Sequence, residues 1–404
     1  VRQSVLTLYM DAAGAESDRQ RDAFASAAKR LRHANRMQAA LWIAAGDPKL
    51  TVHHMMLDTD PWLLNVENGT IDLRTGNLRE HRREDLITKL VPTYFDPSKD
   101  APGWDAFLNR VQPDAAMRDY LQRAIGYSIT GSTREECVFL NHGGGANGKT
   151  TFIETFRLLL GDYGIALPQE TVVRARFSSI PNDLAQLPGR RFATIVETGE
   201  DQRLDEERIK ALATGDKLPA RFMRQEWFEF EPRSKFWMAT NHLPTVSGDD
   251  DGIWRRIRLV PWAVQIPEAE RDRDLREKLQ AELPGVLVWA VRGCLDWQRD
   301  GLRPPNAVTA ATGEYREEED VIGAFLQERC DFGPALTVSN KRLRREFSGW
   351  CEQQGHPLPS PKAVASRFSR RGMLKCKVGS DRGWRGLNVR SLEEGEHARD
   401  GWDG

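Results

Sequence analysis

At 404 residues the chain has room for two or three domains, and 58 Lys+Arg against 59 Asp+Glu leave a formal net charge of −1. That balance gives no argument from bulk charge for a nucleic-acid or membrane-surface protein, while 40% hydrophobic residues and a mean hydropathy of −0.57 describe a soluble globular chain with ample core material. No apolar run reaches membrane-spanning length, and five scattered cysteines (Cys137, Cys294, Cys330, Cys351, Cys376) lack C-x-x-C or zinc spacing, which predicts a reducing compartment and no structural metal. The chain opens on Val1 with no signal-like segment and reads as a fragment of something longer.

In chain order, residues 1 to about 60 predict helix: 19–38 is charged and Ala-rich, with Phe24, Ala28, Leu31 and Met37 at three-to-four spacing, and Pro61 ends the region. Residues 62–96 predict short strands, 63–66 and 70–73 around a Glu67-Asn68-Gly69 turn, then Thr75-Gly76-Asn77. Residues 97–135 return to helix, from Trp104 through the Leu121/Ile125 stripe to Gly131. From about 136 to 300 the apolar runs 137–140, 192–196, 236–239 and 257–260 alternate with helical stretches, which predicts an α/β layer fold with a largely parallel sheet. Residues 301–311 predict a linker.

The last region, 312–392, carries the charge that the average conceals. Between 338 and 390, thirteen Lys and Arg stand against Glu346, Glu352 and Asp381, roughly +10. These cations alternate with Leu343, Phe347, Trp350, Val364, Phe368 and Met373, and two helices followed by a hairpin at 379–383 make a winged-helix pattern suited to DNA phosphates. The tail from 393 to 404 is polar and predicted to fray.

Chemistry enters at Gly143-Gly144-Gly145-Ala146-Asn147-Gly148-Lys149-Thr150, a full G-x-x-x-x-G-K-S/T match between an apolar strand and a helical run at 152–160. Glycines let backbone N–H groups turn onto phosphate oxygens, Lys149 reaches the β/γ-phosphates, the Thr150 hydroxyl can ligate Mg²⁺, and the helix start favours the same anion. The nucleotide-binding set is therefore Gly143, Gly145, Ala146, Asn147, Gly148, Lys149, Thr150 and Thr151. Glu197 at the end of the 192–196 strand, with Glu200 close behind, can hold Mg²⁺ or orient the attacking water. Asn241 ends the 236–240 strand, where an amide can position that water, although an ordinary turn explains it equally well. Arg255, Arg256 and Arg258 read either as a guanidinium supply for a neighbouring subunit's γ-phosphate or as a surface cluster paired with Asp249, Asp250 and Asp251. His53, His54 and His142 lack metal-ligand partners at useful spacing, and Trp237, Trp254, Trp262 and Trp289 fall in apolar runs and predict core.

Taken together, GGGANGKTT, ATIVETGED, LATGDKLPARFMRQEWFEFEP, FWMATNHLP and DGIWRRIRLVPW resemble, in that order, the ATPase motifs of superfamily 3 helicases of the phage/plasmid and poxvirus primase–helicase branch. LLNVENGTIDLRTGNLREHRREDLIT resembles the family's helicase-associated N-terminal domain, and EYREEEDVIGAFLQERC with RGWRGLNV resembles its winged-helix tail. The resemblance implies an α/β AAA+-like P-loop ATPase core, residues 131–300, between a mostly helical N-terminal domain, 1–130, and a winged-helix basic domain, 312–392. It implies ATP and Mg²⁺ as cofactors, with Lys149 and Thr150 on nucleotide and metal, Glu197 as the second-motif carboxylate and metal ligand, Glu200 as its partner, and Asn241 as sensor. Arg255 or Arg256 becomes the finger supplied in trans, which implies a homo-hexamer.

The resemblance also implies that a hairpin at 217–222 and 228–231 grips single-stranded DNA in the ring channel. Lys217, Arg221 and Arg224 are its cations, with Gln225 standing where relatives often carry lysine, and Lys341 and Arg370 represent the basic tail. Its implied function is an ATP-driven DNA helicase moving 3′ to 5′ on single strands and forked duplexes in phage or plasmid replication. The setting is the cytoplasm of a bacterial host, with no membrane partner. The family's priming domain lies upstream of the helicase, nothing in these residues carries it, and a priming domain or separate primase is an expected partner. Two competing readings are a replication initiator or loader ATPase that remodels duplex DNA without processive unwinding, and a small-molecule P-loop kinase. The kinase leaves Asn241, the paired arginines and the basic tail without a use.

Overall fold

Alanine and charged residues dominate the first segment, and they form helices α1 (Arg2–Ala13), α2 (Asp18–Leu31) and α3 (Ala34–Ala45). The computed structural model describes residues 2–31, 33–47, 51–174, 182–196, 202–223, 225–246, 251–356 and 358–390. The helix expected over 19–38 is two helices, because His33 takes an extended backbone (φ −67°, ψ 123°) at the start of α3. Residues 1–59 and 83–88 form one compact unit, in which α1 packs on α2. The second unit comprises 60–82 and 89–404.

That larger unit begins with the antiparallel meander β1 (Leu63–Val66), β2 (Gly69–Asp72) and β3 (Asn77–Arg79), with Leu64, Val66 and Ile71 fully buried. Pro113 separates α4 (Pro102–Val111) from α5 (Ala115–Ser128), and Asp114 caps α5 by accepting from the Ala116 N–H at 3.0 Å. α5 lies against α10 (Leu283–Asp300) at a backbone-to-backbone contact, Gly126 against Gly293. On α5 the Tyr120 hydroxyl is buried without a hydrogen-bond partner among the described residues. Tyr120→Phe is therefore expected to raise unfolding free energy by about 1 kcal/mol, read from urea denaturation midpoints.

Next in the chain come β4 (Val138–His142), α6 (Lys149–Leu160), β5 (Gly164–Ala166), β6 (Phe192–Val196) and α7 (Glu206–Thr214). The hairpin β7 (Leu218–Ala220) and β8 (Phe228–Phe230) leads into β9 (Lys235–Thr240), the short α8 (Asp251–Trp254), β10 (Ile257–Pro261) and α9 (Leu275–Ala281). Five of these strands form one parallel sheet in the order β10-β4-β9-β6-β5. Both faces are covered, so the strands read as largely apolar runs. One face stacks aromatics: Phe139 on Trp237 with centroids 4.3 Å apart, and Phe152 of α6 between Trp104 and Phe156. The opposite face joins Val138, Leu140, Ile195, Phe236 and Met238 to Ile209 and Leu212 of α7.

α11 (Asn306–Glu318) packs on β10, with Tyr315 in that same core. The linker expected at 301–311 is thus partly helix, because Val308 and Tyr315 find apolar cover. α12 (Val321–Arg329), β11 (Cys330–Ser339), α13 (Asn340–Gln354), α14 (Pro361–Arg370), β12 (Leu374–Val378) and β13 (Asp381–Val389) follow. Their antiparallel sheet, β11-β13-β12, and helices enclose a separate core of Phe325, Phe347, Trp350, Phe368 and Trp384. No helix among the described residues is long and apolar enough to cross a membrane.

Candidate functional site

Parallel strands deliver their carboxyl ends to one edge, and the register pairs His142 with Thr240, Val196 with Ala239, and Pro261 with His142. The glycine loop leaves β4 at this edge and enters α6. Its conformation is built locally: Ala146 (φ +57°) and Gly148 (φ +85°) both adopt left-handed backbone. A Cβ on Gly148 would sit 2.6 Å from Val111 Cγ1, so only glycine fits there.

Asn147 fastens the loop. Its Nδ2 donates to the Gly144 carbonyl at 2.6 Å and the Trp262 carbonyl at 3.1 Å, and Ile266 N–H donates to the Ala146 carbonyl at 2.8 Å. The chain after β10 thereby clamps the loop from outside. Buried Asn141 does the same below it, donating to the Met238 carbonyl at 3.1 Å and accepting from Trp262 Nε1 at 3.0 Å. Sequence reading missed Asn141; its signal is an amide inside an otherwise apolar strand.

Lys149 opens α6 and is 6% exposed. Its Nζ donates to the carbonyls of Gly143 (2.9 Å) and Gly144 (3.0 Å) and to Asn241 Oδ1 at 2.6 Å. Burial lowers its pKa, and the oxygens it meets among the described residues are all neutral. A buried cation among neutral oxygens at a helix N-terminus is an arrangement that attracts an anion. Gly144 and Gly145 leave open space where a side chain would stand, and Thr150 is exposed beside them while Thr151 is half-buried.

The site residues expected at Glu197 and Glu200 lie outside the described residues, as do Asp249, Asp250 and Arg224. The two arginines separate cleanly. Arg256 has a side chain 7% exposed, holds Glu136 Oε2 at 3.0 Å and donates to the Gly252 carbonyl at 2.6 Å. Arg255, 66% exposed, reaches the same carboxylate only at 3.8 Å. Glu136 was not foreseen, being 120 positions away from its partner in the chain.

At the β7–β8 hairpin, Lys217 is exposed and the Arg221 guanidinium lies 4.8 Å over the Trp227 ring. Phe222, Met223 and Trp227 are exposed at the tip, and Phe222 stacks near Phe228. This exposed apolar cluster was also missed, because the sequence reading of the hairpin weighed only its cations. In the C-terminal segment Lys341 is exposed at the start of α13; Arg370 ends α14, and its side chain lies outside the described set. Trp237, Trp254 and Trp262 are buried, as core tryptophans.

Residues 3–113 match the family described as D5 N terminal like, and residues 141–256 match a family of unknown function, DUF5906. A protein named putative helicase from Acanthamoeba polyphaga mimivirus is 29% identical over 295 residues, covering 67% of this chain and 30% of that protein. A protein named putative helicase from Frog virus 3 is 24% identical, covering 73% of this chain and 39% of its own length. A protein named putative primase from African swine fever virus is 28% identical over 311 residues, with 70% and 32% covered. The chain thus spans between 30% and 39% of these relatives. Among solved structures, the apo C-terminal region of NrS-1 is similar at TM-score 0.45 and 12% identity, covering 82% of this chain and 83% of that one. Sequence relatedness over 67% to 73% of its length makes this chain similar to viral proteins that carry helicase and primase names.

Proposed function

We propose that this chain is an ATP-driven DNA helicase of superfamily 3, working as a homo-hexameric ring that moves 3′ to 5′ on single-stranded DNA in replication. The observation that carries this reading is the 2.6 Å contact between Lys149 Nζ and Asn241 Oδ1. It joins the glycine loop after β4 to the tip of β9, the neighbouring strand, as an AAA+-like P-loop core requires of lysine and sensor. The order β10-β4-β9-β6-β5 supports that core, and the helicase and primase names of the relatives support the replication role.

In this mechanism ATP with Mg²⁺ supplies the phosphoryl group whose hydrolysis drives movement. Lys149 would neutralise charge on the terminal phosphates, Thr150 and Glu197 would hold the metal, and Asn241 would fix the attacking water, with Glu200 as the partner carboxylate that the resemblance implies. Arg255 is the finger offered to a neighbouring subunit, because it is the exposed member of its pair. Arg255→Ala is expected to reduce ATPase activity about 10³-fold without moving the melting temperature. Arg256→Ala, which empties the buried guanidinium site and removes its bonds to Glu136 and the Gly252 carbonyl, should lower that temperature, so activity and calorimetry together separate the two arginines.

The hairpin would meet DNA through Lys217, Arg221 and Arg224, with Trp227 offering a stacking face. Trp227→Ala is expected to weaken single-strand binding by about 1–3 kcal/mol in fluorescence anisotropy, with the circular dichroism spectrum unchanged. The C-terminal domain, read as a winged helix, would add phosphate contacts through Lys341 and Arg370. A forked duplex tests the whole proposal. Strand separation that needs ATP, a 3′ tail and Lys149 supports it, whereas hydrolysis and DNA binding without separation on either fork favours a remodelling initiator.

A further inference from the structure

The C-terminal domain contains a cleft of about 800 Å³ between α13, the start of α14 and the β12–β13 hairpin. Its floor is apolar: Leu343, Phe347 and Trp384 are each at most 5% exposed yet line it, and Leu358 stands 40% exposed at its lip. Arg344, Lys377 and Arg382 rim it, all exposed and with no ion pair among the described residues. Among the described residues, no carboxylate lines the cleft. DNA contact through Lys341 and α14 leaves this floor unexplained, since phosphates need cations and not a cavity of apolar side chains. Nor is there a good base-stacking face, because Trp384 is buried with the Phe368 ring packed on it at 5.3 Å.

We infer that this cleft is a docking groove for an acidic peptide of a partner protein, with a bulky apolar side chain of the peptide seated on the floor. Its acids meet Arg344, Lys377 and Arg382, and its anchor covers Leu343, Phe347 and Leu358. A volume of this size accommodates an aromatic anchor and the flanking backbone. Charge complementarity at the rim selects the acidic sequence, and desolvation of the anchor supplies the affinity.

The test is fluorescence anisotropy on the full chain, without nucleotide or DNA, using a fluorescein-labelled twelve-residue peptide of repeated Asp-Asp-Phe. A repeated Asp-Asp-Ser peptide of equal charge is the control. The phenylalanine peptide is expected to bind about tenfold or more tightly than the serine peptide, the ratio that burying one aromatic side chain gives. Leu358→Asp and Arg382→Glu, both at exposed positions, should each weaken it by about tenfold with unchanged circular dichroism. Equal binding of the two peptides, or displacement of the bound peptide by a duplex oligonucleotide of equal charge, would make the cleft a simple anion or DNA surface and overturn the proposal. Absence of binding would also overturn it. A full chain carrying Glu393→Lys, Glu394→Lys and Glu396→Lys that binds the peptide about tenfold tighter would assign the groove to the chain's own residues 391–404 and overturn the partner reading. Because no hydrolysis or unwinding is measured, failure here leaves the helicase reading untouched.

Discussion

Lys149→Ala is expected to reduce ATP turnover by at least about 10²–10³-fold, the loss that follows when a preorganised charged donor is taken from the developing transition-state charge. The structure explains why the side chain is prepared for that work. Its ammonium is already drawn out of water, with burial lowering its pKa, and is aimed by Gly143, Gly144 and Asn241 before any anion arrives. Among the described residues, the oxygens it meets are all neutral. The variant should fold, because removing the ammonium deletes a desolvated charge together with its hydrogen bonds to Gly143, Gly144 and Asn241. Steady-state ATPase assays and a thermal melt on one preparation check both halves. Asn241→Ala, tested in parallel, should lower kcat by about 10²-fold with a smaller change in KM if the amide acts on the attacking water. An equal rise in KM alone would make Asn241 a holder of Lys149 and nothing more.

Gly293→Val is expected to destabilise the protein by more than about 3 kcal/mol, a large share of the 5–15 kcal/mol typical of a folded domain. The position is on α10 where it meets α5. A Cβ there would fall 2.1 Å from the Gln122 carbonyl oxygen, and one on Gly126 would fall 2.1 Å from Cys294 N. These are backbone atoms on both sides, so no side chain can swing aside, and the helices would have to separate along their length. The same interface holds Gln122 Nε2 against the Trp289 carbonyl at 3.0 Å, which a separation would break. Urea unfolding should show a lower midpoint. Gly301→Ala is a control: its position has nothing within 4 Å, so only the strain of its φ of +71° is felt.

What was legible in the sequence follows from how much information a short stretch of chain carries. The strands β4, β6, β9 and β10 could be read because a strand covered on both faces is apolar at most positions. Helix α6 could be read because glycine bounds it on either side. The edge strand β5 could not, since three residues, Gly164-Ile165-Ala166, form no pattern. Nor could β11, where Gly333 and Pro334 interrupt the run and the register shifts between Gly333 and Thr337. The break between α2 and α3 escaped for the opposite reason: helical composition continues through it.

At the site, the glycine loop, Lys149 and the strand-end amide were determined by residue type and order, because backbone conformation and charge at a loop are local properties. The distance from Lys149 to Asn241 was not, for it depends on β9 lying beside β4 in the sheet, and nothing local fixes strand order. The different surroundings of Arg255 and Arg256 were likewise beyond the sequence. The two are adjacent and identical in chemistry, and only the fold puts Glu136 and the Gly252 carbonyl around one of them, leaving the other to solvent. The same holds for the exposed tryptophan of the hairpin and the basic-rimmed cleft of the C-terminal domain. Composition could supply their parts, but burial and exposure are set by neighbours distant in the chain, and those the tertiary structure alone decides.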